Sequence, residues 1–422
     1  MRKKKVLVIR GTMKTILLCG AFLDHNEIVK NSRSVIDNAA NNFSKKLITG
    51  FENCTNTSLH VINCAFIGSY PRYSKKMYYR GLGNVTNNID DLSFLNVFAI
   101  RNIFRYLAIK RCLRKELKKS TDDSIYIVAY SLHSPFIGAL QYAKKLNRNI
   151  KTCVIIADLP EMMNLENKKS IVKTFLKKID TKIIYKQLYK IDRYVVLTRQ
   201  MIEYLKLDRD RCEVIEGIAC DADLENGEEN GQVLNSKRAF LYAGTLNYVY
   251  GIMELVEGFR KIERDDIELW VCGKGEAEDD IKKVTSIDKR IRYFGNLNKL
   301  ELERLYSTCY ALVNPRPRSG DYVKYSFPSK IIEYLSTGKP TIAYYLPGMP
   351  DEYKKYIFEI KLNGREGIYE TLKEFLNSNY DDALNVASRA KIFLRENKIE
   401  RLQAKRVLDL MERGNERKDI FN

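Results

Sequence analysis

Short runs rich in β-branched and aromatic residues alternate with longer stretches of helical periodicity along the whole chain, and this alternation predicts parallel α/β sheets. Parallel neighbours need a crossover of a dozen or more residues, and the helical stretches supply it. In the first half the pattern predicts strands near 5–10, 15–20, 58–66, 124–130, 150–157 and 193–197. Helices are expected at about 34–49, 95–119, 136–146 and 167–190. The second half predicts strands at 239–243, 267–272, 290–294, 310–314, 341–345 and 357–361, then helix from 364 onward. Between Gly217 and Lys237 the composition shifts to Asp, Asn, Glu and Gly, which reads as a linker between two Rossmann-like domains. At 422 residues the chain is long enough for two full cores.

Charged residues at 30% and hydrophobic residues at 45% describe a globular chain rather than a disordered one. A net charge of +19 implies anionic partners: nucleic acid, an anionic membrane face or phosphorylated substrates. No helix-turn-helix, zinc-finger or RNP-like aromatic pattern occurs, so no nucleic-acid partner is expected. Nine cysteines, scattered and without C-x-x-C, read as reduced thiols of a cytoplasmic protein and predict no structural metal site. Arg2–Lys5 before Val6–Ile9, and Lys14 before Ile16–Leu23, mimic signal peptides. Arg10 interrupts the first apolar run and Asp24 ends the second after eight residues, so a first Rossmann-type strand ending at Gly11 or Gly20 fits better. Ile125–Ala143 is the nearest approach to a membrane span, and Ser131, His133, Ser134 and Pro135 interrupt it.

Two predicted helices are strongly basic. The 95–119 segment carries Arg101, Arg105, Lys110, Arg111, Arg114 and Lys115. The 167–190 segment carries Lys168, Lys169, Lys173, Lys177, Lys178, Lys182, Lys186 and Lys190 beside Ile171, Val172, Phe175, Leu176 and Ile179. A solvated outer face is one reading. Attraction to anionic lipid headgroups is the other, at about 1 kcal/mol for each nearby Lys or Arg.

The stretch from Tyr325 to Pro340 reads as loop, short helix and stop. Pro328 suits a first helical turn capped by Ser326 or Phe327, while Gly338 and Pro340 end the helix. Lys330 and Glu333 share one face, with Ile331, Ile332 and Leu335 on the other. A helix start carrying Ser329 and Lys330 suits a phosphate, and a carboxylate one turn deeper suits sugar hydroxyls. An ordinary capped helix with a solvated ion pair is the plainer alternative. Other glycines and prolines fall where strands end: Tyr242-Ala243-Gly244-Thr245-Leu246, Tyr250-Gly251-Ile252, Gly273-Lys274-Gly275-Glu276, Phe294-Gly295-Asn296-Leu297 and Asn314-Pro315-Arg316-Pro317. Ligands of open α/β sheets bind beyond such ends.

With Phe327-Pro328-Ser329-Lys330-Ile331-Ile332-Glu333-Tyr334, these motifs make residues 239–362 resemble the donor half of GT-B glycosyltransferases of the retaining family 4, most like bacterial capsule and exopolysaccharide sugar transferases. The resemblance implies two Rossmann-like domains with parallel sheets facing a central cleft. It implies a 1–216 acceptor-side domain, a 217–237 linker, a 238–380 nucleotide-sugar domain, and 381–422 helices of which one crosses back onto the first domain. It further implies a nucleotide-diphosphate sugar donor and a glycan or lipid-linked acceptor, with no cofactor or metal. The chain would be cytoplasmic, seated peripherally at the inner face of the cell membrane through the basic helices. Donor-binding positions would be Gly244, Thr245, Gly273, Lys274, Gly295, Asn296, Arg316, Ser329, Lys330 and Glu333.

His133, after the 124–130 strand, matches the family's loop histidine that faces the donor; a satisfied structural histidine is the plainer reading. Asp158 or Glu161, after the next strand, would orient an acceptor hydroxyl, although a turn explains Asp158 equally well. Asp221-Ala222-Asp223 mimics a metal-binding D-x-D but follows a loop rather than a strand end, and is rejected. Three departures stand out. Thr245 and Tyr250 occupy places where the family carries a cationic pair, and Tyr325 one where it carries a glutamate. Lys330, Arg316, Arg318 or Lys324 would then supply the positive charge. Two rivals follow: a degenerate accessory subunit, and a sugar-nucleotide epimerase on the same fold.

Overall fold

The computed structural model describes residues 13–33, 38–55, 57–120, 122, 124–161, 171–225 and 237–413. The expected strand at 5–10, much of the 217–237 stretch, and Lys168 and Lys169 lie outside these residues. The chain divides into two compact units, one of residues 1–215 with 400–422 and one of residues 216–399.

The second unit holds a six-stranded, all-parallel sheet. Its order is Ile291–Gly295, Ile267–Cys272, Arg238–Ala243, Ala311–Asn314, Thr341–Ala343 and Phe358–Glu359. Numbered along the chain this is 3-2-1-4-5-6, the doubly wound order, whose direction reverses between the first and fourth strands. Helices cover both faces, so strands such as Phe240–Ala243 and Ala311–Asn314 are buried throughout and read as unbroken apolar runs.

The first unit repeats the plan in an eight-stranded sheet. Its order is Cys212–Val214, Arg193–Val196, Lys151–Ile156, Ser124–Tyr130, Met13–Cys19, Ser58–Asn63, Ile89–Asp91 and Gly83–Thr86. Only the last pair is antiparallel. The reversal falls between Met13–Cys19 and Ser124–Tyr130.

Several expectations need correction. The 95–119 helix starts at Arg101, because Leu95 pairs with Tyr78 in a small antiparallel ribbon and Ala99 takes a positive φ of 70°. Pro328 is the N-cap of helix Ser329–Ser336 rather than part of its first turn, and no side chain caps that helix. Residues 221–225, expected as part of the linker, form a helix, and Asp223 pairs with Lys299 at 3.0 Å. Of the stretch 381–422, helix Tyr380–Asn397 lies in the second unit and Glu400–Glu412 in the first.

Arg101 and Arg105 are not part of a solvated basic face. Arg105 is fully buried, donating to the Ala65 carbonyl at 2.7 Å beneath the Phe94 ring, and Arg101 donates to the Ile67 carbonyl at 2.9 Å. A guanidinium has five donors, and these loop carbonyls need partners. The outward residues of that helix include Ile103, Phe104, Leu107, Arg111, Arg114 and Lys115.

The second unit is closed on itself by a buried ion pair. Lys398 Nζ lies 2.6 Å from Glu216 Oε1 and 2.6 Å from Glu352, and the Tyr353 hydroxyl also donates to Glu216. Removing one member of such a pair leaves an uncompensated charge. Lys398→Met is expected to destabilise the second unit by about 3–5 kcal/mol, read as a lower urea midpoint. Adding Glu216→Gln is expected to recover part of that loss.

Candidate donor site at the strand ends

Gly244, Gly273 and Gly295 follow or end three adjacent strands, and their backbones lace together. The Gly244 N–H donates to the Cys272 carbonyl at 3.0 Å, and that of Gly273 to Gly295 at 2.7 Å. The Leu246 N–H donates to the Lys274 carbonyl at 2.9 Å, and the Tyr293 hydroxyl to Gly273 at 2.8 Å. At Gly273 φ is +131°, and a Cβ would fall 1.8 Å from the Gly244 carbonyl oxygen, so only glycine fits. A Cβ at Gly251 (φ +78°) would lie 2.2 Å from the Pro315 carbonyl, which draws the fourth strand's exit loop against the first's. Thr245, Lys274 and Asn296 are exposed on these loops.

Helix Ser329–Ser336 is fixed to this edge by Tyr334. Its buried hydroxyl accepts from the Ala243 N–H at 2.9 Å and donates to the Ala243 carbonyl at 3.2 Å. Ser329 is exposed at the helix start. Lys330 Nζ lies 2.8 Å from Glu333 Oε1, and the Tyr306 hydroxyl donates to the same oxygen at 2.6 Å. Burial first, then the Glu333 charge, pushes the Tyr306 phenol far up, so it remains a donor. Burial pushes the Cys272 thiol up to about 12 while Lys330 pulls against it.

Arg316 sits over the rings of Tyr250 (5.7 Å) and Tyr322 (5.5 Å) and donates to Ser326 at 2.8 Å. Tyr250, at a place where the resembled family carries a cation, thus supports one from beneath. Arg318 does not fill that role: it is bound to Glu359 at 2.6 Å and to the Ile360 and Lys361 carbonyls. Lys324 pairs with Asp321 at 3.8 Å and lies over Tyr325. Sequence reasoning missed Tyr306 and Tyr334, both of which sit in ordinary amphipathic helix patterns.

The first unit holds the remaining candidates. His133 is the N-cap of helix Ser134–Leu146, directly past its sheet's reversal, with its ring 5.4 Å from Phe66 and 6.0 Å from Phe136. Burial, then the cations Arg105 and Arg101, hold its pKa well below the ordinary 6.5, so the ring is neutral near pH 7. Asp158 is exposed. Glu161 accepts from the Tyr185 hydroxyl at 2.6 Å and from Tyr204 at 3.0 Å, and so joins two helices.

Glu161 also lines a groove of about 1800 Å³ walled by Phe66, Ile103, Tyr106, Lys110, Phe175 and Ile179. On helix Ile171–Leu188, Phe175, Ile179 and Ile183 are 63%, 41% and 44% exposed, a one-face apolar stripe at four-residue spacing, with Lys178, Lys182 and Lys186 beside it. Lys173's side chain lies outside the described residues. No described helix is long and apolar enough to cross a membrane.

Residues 237–377 match the protein family described as glycosyl transferases group 1. This chain is a glycosyltransferase. Its fold is GT-B, as in solved structures similar to it over nearly their whole length. Sucrose-phosphate synthase from Thermosynechococcus elongatus is 12% identical with a TM-score of 0.61, covering 94% of this chain and 98% of that one. Anabaena HepE in complex with UDP is 10% identical, TM-score 0.59, covering 94% and 100%. A trehalose-6-phosphate structure from E. coli bound with UDP-2-fluoro glucose is 10% identical, TM-score 0.63, covering 94% and 99%. No curated protein sequence matches the glycosyltransferase.

Because the folded protein holds His133 neutral, an unfolded chain binds a proton there first as pH falls. That stability is complete above about pH 6.5 and is lost progressively as pH drops below it. His133→Phe is expected to flatten the decline of the urea midpoint with acidification; an unchanged slope would contradict a ring held neutral by the fold.

Proposed function

We propose that the glycosyltransferase moves a sugar from a nucleotide-diphosphate sugar to a hydroxyl of a glycan or lipid-linked glycan acceptor, with retention of anomeric configuration and without a catalytic metal. The observation that carries this reading is the Lys330–Glu333–Tyr306 cluster fixed at the sheet's carboxyl edge beside the glycine loops. Two neighbours of the same fold are bound to UDP or a UDP-sugar, which supports a donor of that class. Retention, the absence of a catalytic metal, and a setting in bacterial surface polysaccharide synthesis rest on the resemblance of the donor-half motifs to family 4.

The chemistry is the handling of charge. As the glycosidic bond breaks, negative charge grows on the leaving diphosphate and positive charge on the sugar ring. Lys330, Arg316 and the N–H groups opening helix Ser329–Ser336 would stabilise the leaving group as preorganised dipoles and charges. Lys330 releases Glu333 to do so, while the Tyr306 hydroxyl keeps that carboxylate in place to accept from ribose. Neutral His133 would exchange hydrogen bonds with the transferred sugar without adding charge. Asp158 or Glu161 would orient the acceptor hydroxyl, and Glu161's place on the groove favours it.

The donor reading is tested by calorimetric binding of UDP-, GDP- and dTDP-sugars and by release or transfer of the sugar. Lys330→Glu is expected to weaken donor binding by about tenfold or more. Unchanged affinity would overturn the assignment of Lys330. Interconversion of two donors would indicate an epimerase, and binding without turnover an accessory subunit.

The exposed Phe175–Ile179–Ile183 stripe with its flanking lysines also supports a peripheral seat on an anionic leaflet at the inner face of the cell membrane. Vesicles containing anionic lipid are expected to carry the protein on flotation at low salt. Phe175→Ser with Ile179→Ser is expected to lose that binding; retention by the double variant would contradict this role for the stripe.

A further inference from the structure

Away from the donor edge, three side chains from three elements of the first unit converge on one point. His60 lies on strand Ser58–Asn63, Asp90 on Ile89–Asp91 and Cys112 on helix Arg101–Lys119. The parallel register sets Asp90 beside Ile62, two residues from His60 and therefore on the same face of the sheet. The helix across that face brings Cys112 and, one turn on, Glu116. His60 Nε2 is 3.0 Å from Asp90 Oδ2, and Cys112 Sγ is 3.3 Å from the same oxygen. All three donor atoms lie within 4.8 Å of one another. Behind the ring, Glu116 Oε1 is 3.8 Å from His60 Nδ1 and is itself held by Lys14 at 2.7 Å.

We propose that His60, Asp90 and Cys112 bind a divalent transition-metal ion of the zinc class. An imidazole, a carboxylate and a thiolate form a mixed N/O/S donor set, which favours zinc over magnesium or calcium. Zinc bonds of about 2.0–2.3 Å require tetrahedral donors about 3.3–3.6 Å apart. The Asp90 contacts are within a few tenths of an ångström of that spacing. Glu116 lies on the side of the ring's other nitrogen, 3.8 Å away, where an approach of about 1 Å would let it accept from a metal-binding imidazole. On binding, the Cys112 thiol proton leaves to solvent and the imidazole carries its proton on Nδ1, towards Glu116. Solvent reaches the site past Asp90, whose side chain is 25% exposed, and a water completes the tetrahedron there. The ion plays no part in sugar transfer. It ties the helix bearing Ile103, Tyr106 and Lys110, one wall of the groove, to the sheet edge.

The same three groups also make a self-sufficient hydrogen-bonded trio without any ion, and the experiment separates the two states. The full chain, stripped by chelator, is titrated with zinc under elemental analysis and with cobalt under absorption spectroscopy. The expected result is one tightly held zinc per chain, a raised thermal midpoint, and a cobalt spectrum with a thiolate charge-transfer band and tetrahedral d–d bands. Cys112→Ser is expected to abolish the charge-transfer band and weaken zinc binding at least about tenfold. Asp90→Asn, which preserves shape, provides the same readout should the serine variant fold poorly. No zinc uptake, a cobalt spectrum without thiolate character, or uptake undiminished in the variants would overturn the proposal.

Discussion

The candidate donor site depends on one buried phenol. Tyr334 gives its hydroxyl to both backbone groups of Ala243, beyond the last pair that the Arg238–Ala243 strand makes with Ala311–Asn314. Without it, an interior N–H and carbonyl would go unmet, at a cost of about 1–3 kcal/mol each. The ring meets Tyr306 edge-on at 6.1 Å, and Tyr306 in turn holds Glu333, which holds Lys330. An unbroken line of contacts thus runs from the core to the cation.

The molecule uses ion pairs in two physically distinct ways. Lys330–Glu333 is partly exposed, with side chains 35% and 41% accessible, so the pair adds no more than about 1 kcal/mol and is readily exchanged for a ligand's oxygens. Lys398–Glu216 is almost wholly enclosed and cannot open without stranding a charge. The first arrangement suits recognition, the second permanence.

Much of the architecture was legible because parallel strands buried on both faces leave unbroken apolar runs. The strands expected at 124–130 and 267–272 have those bounds in the structure. The short strands Tyr78–Tyr79, Gly83–Thr86 and Ile89–Asp91 left no such mark: they are two to four residues long, and Gly83–Thr86 is exposed throughout. Charge was read less well than hydrophobicity. Arg101 and Arg105 look like surface residues until loop carbonyls 34 and 40 residues earlier are seen to need donors, and Arg318 looked available until Glu359 came beside it. The convergence of the glycine loops could be expected from strand order, whereas the roles of Tyr306 and Tyr334 depend on packing across the helix–sheet interface. The approach of His60, Asp90 and Cys112 follows from strand register, which spacing along the chain does not encode.

The division of the chain has a consequence for synthesis. The second unit is one continuous segment whose ends meet, with Ala219 bridged to Ile399, while the first receives its last helix, Glu400–Glu412, from beyond it. That helix buries Ala404, Val407, Leu408 and Met411 and packs on Asn38–Glu52, with Gly50 against the Glu400 carbonyl. On the ribosome, therefore, the half made first must wait with an uncovered apolar face until the half made second has emerged in full.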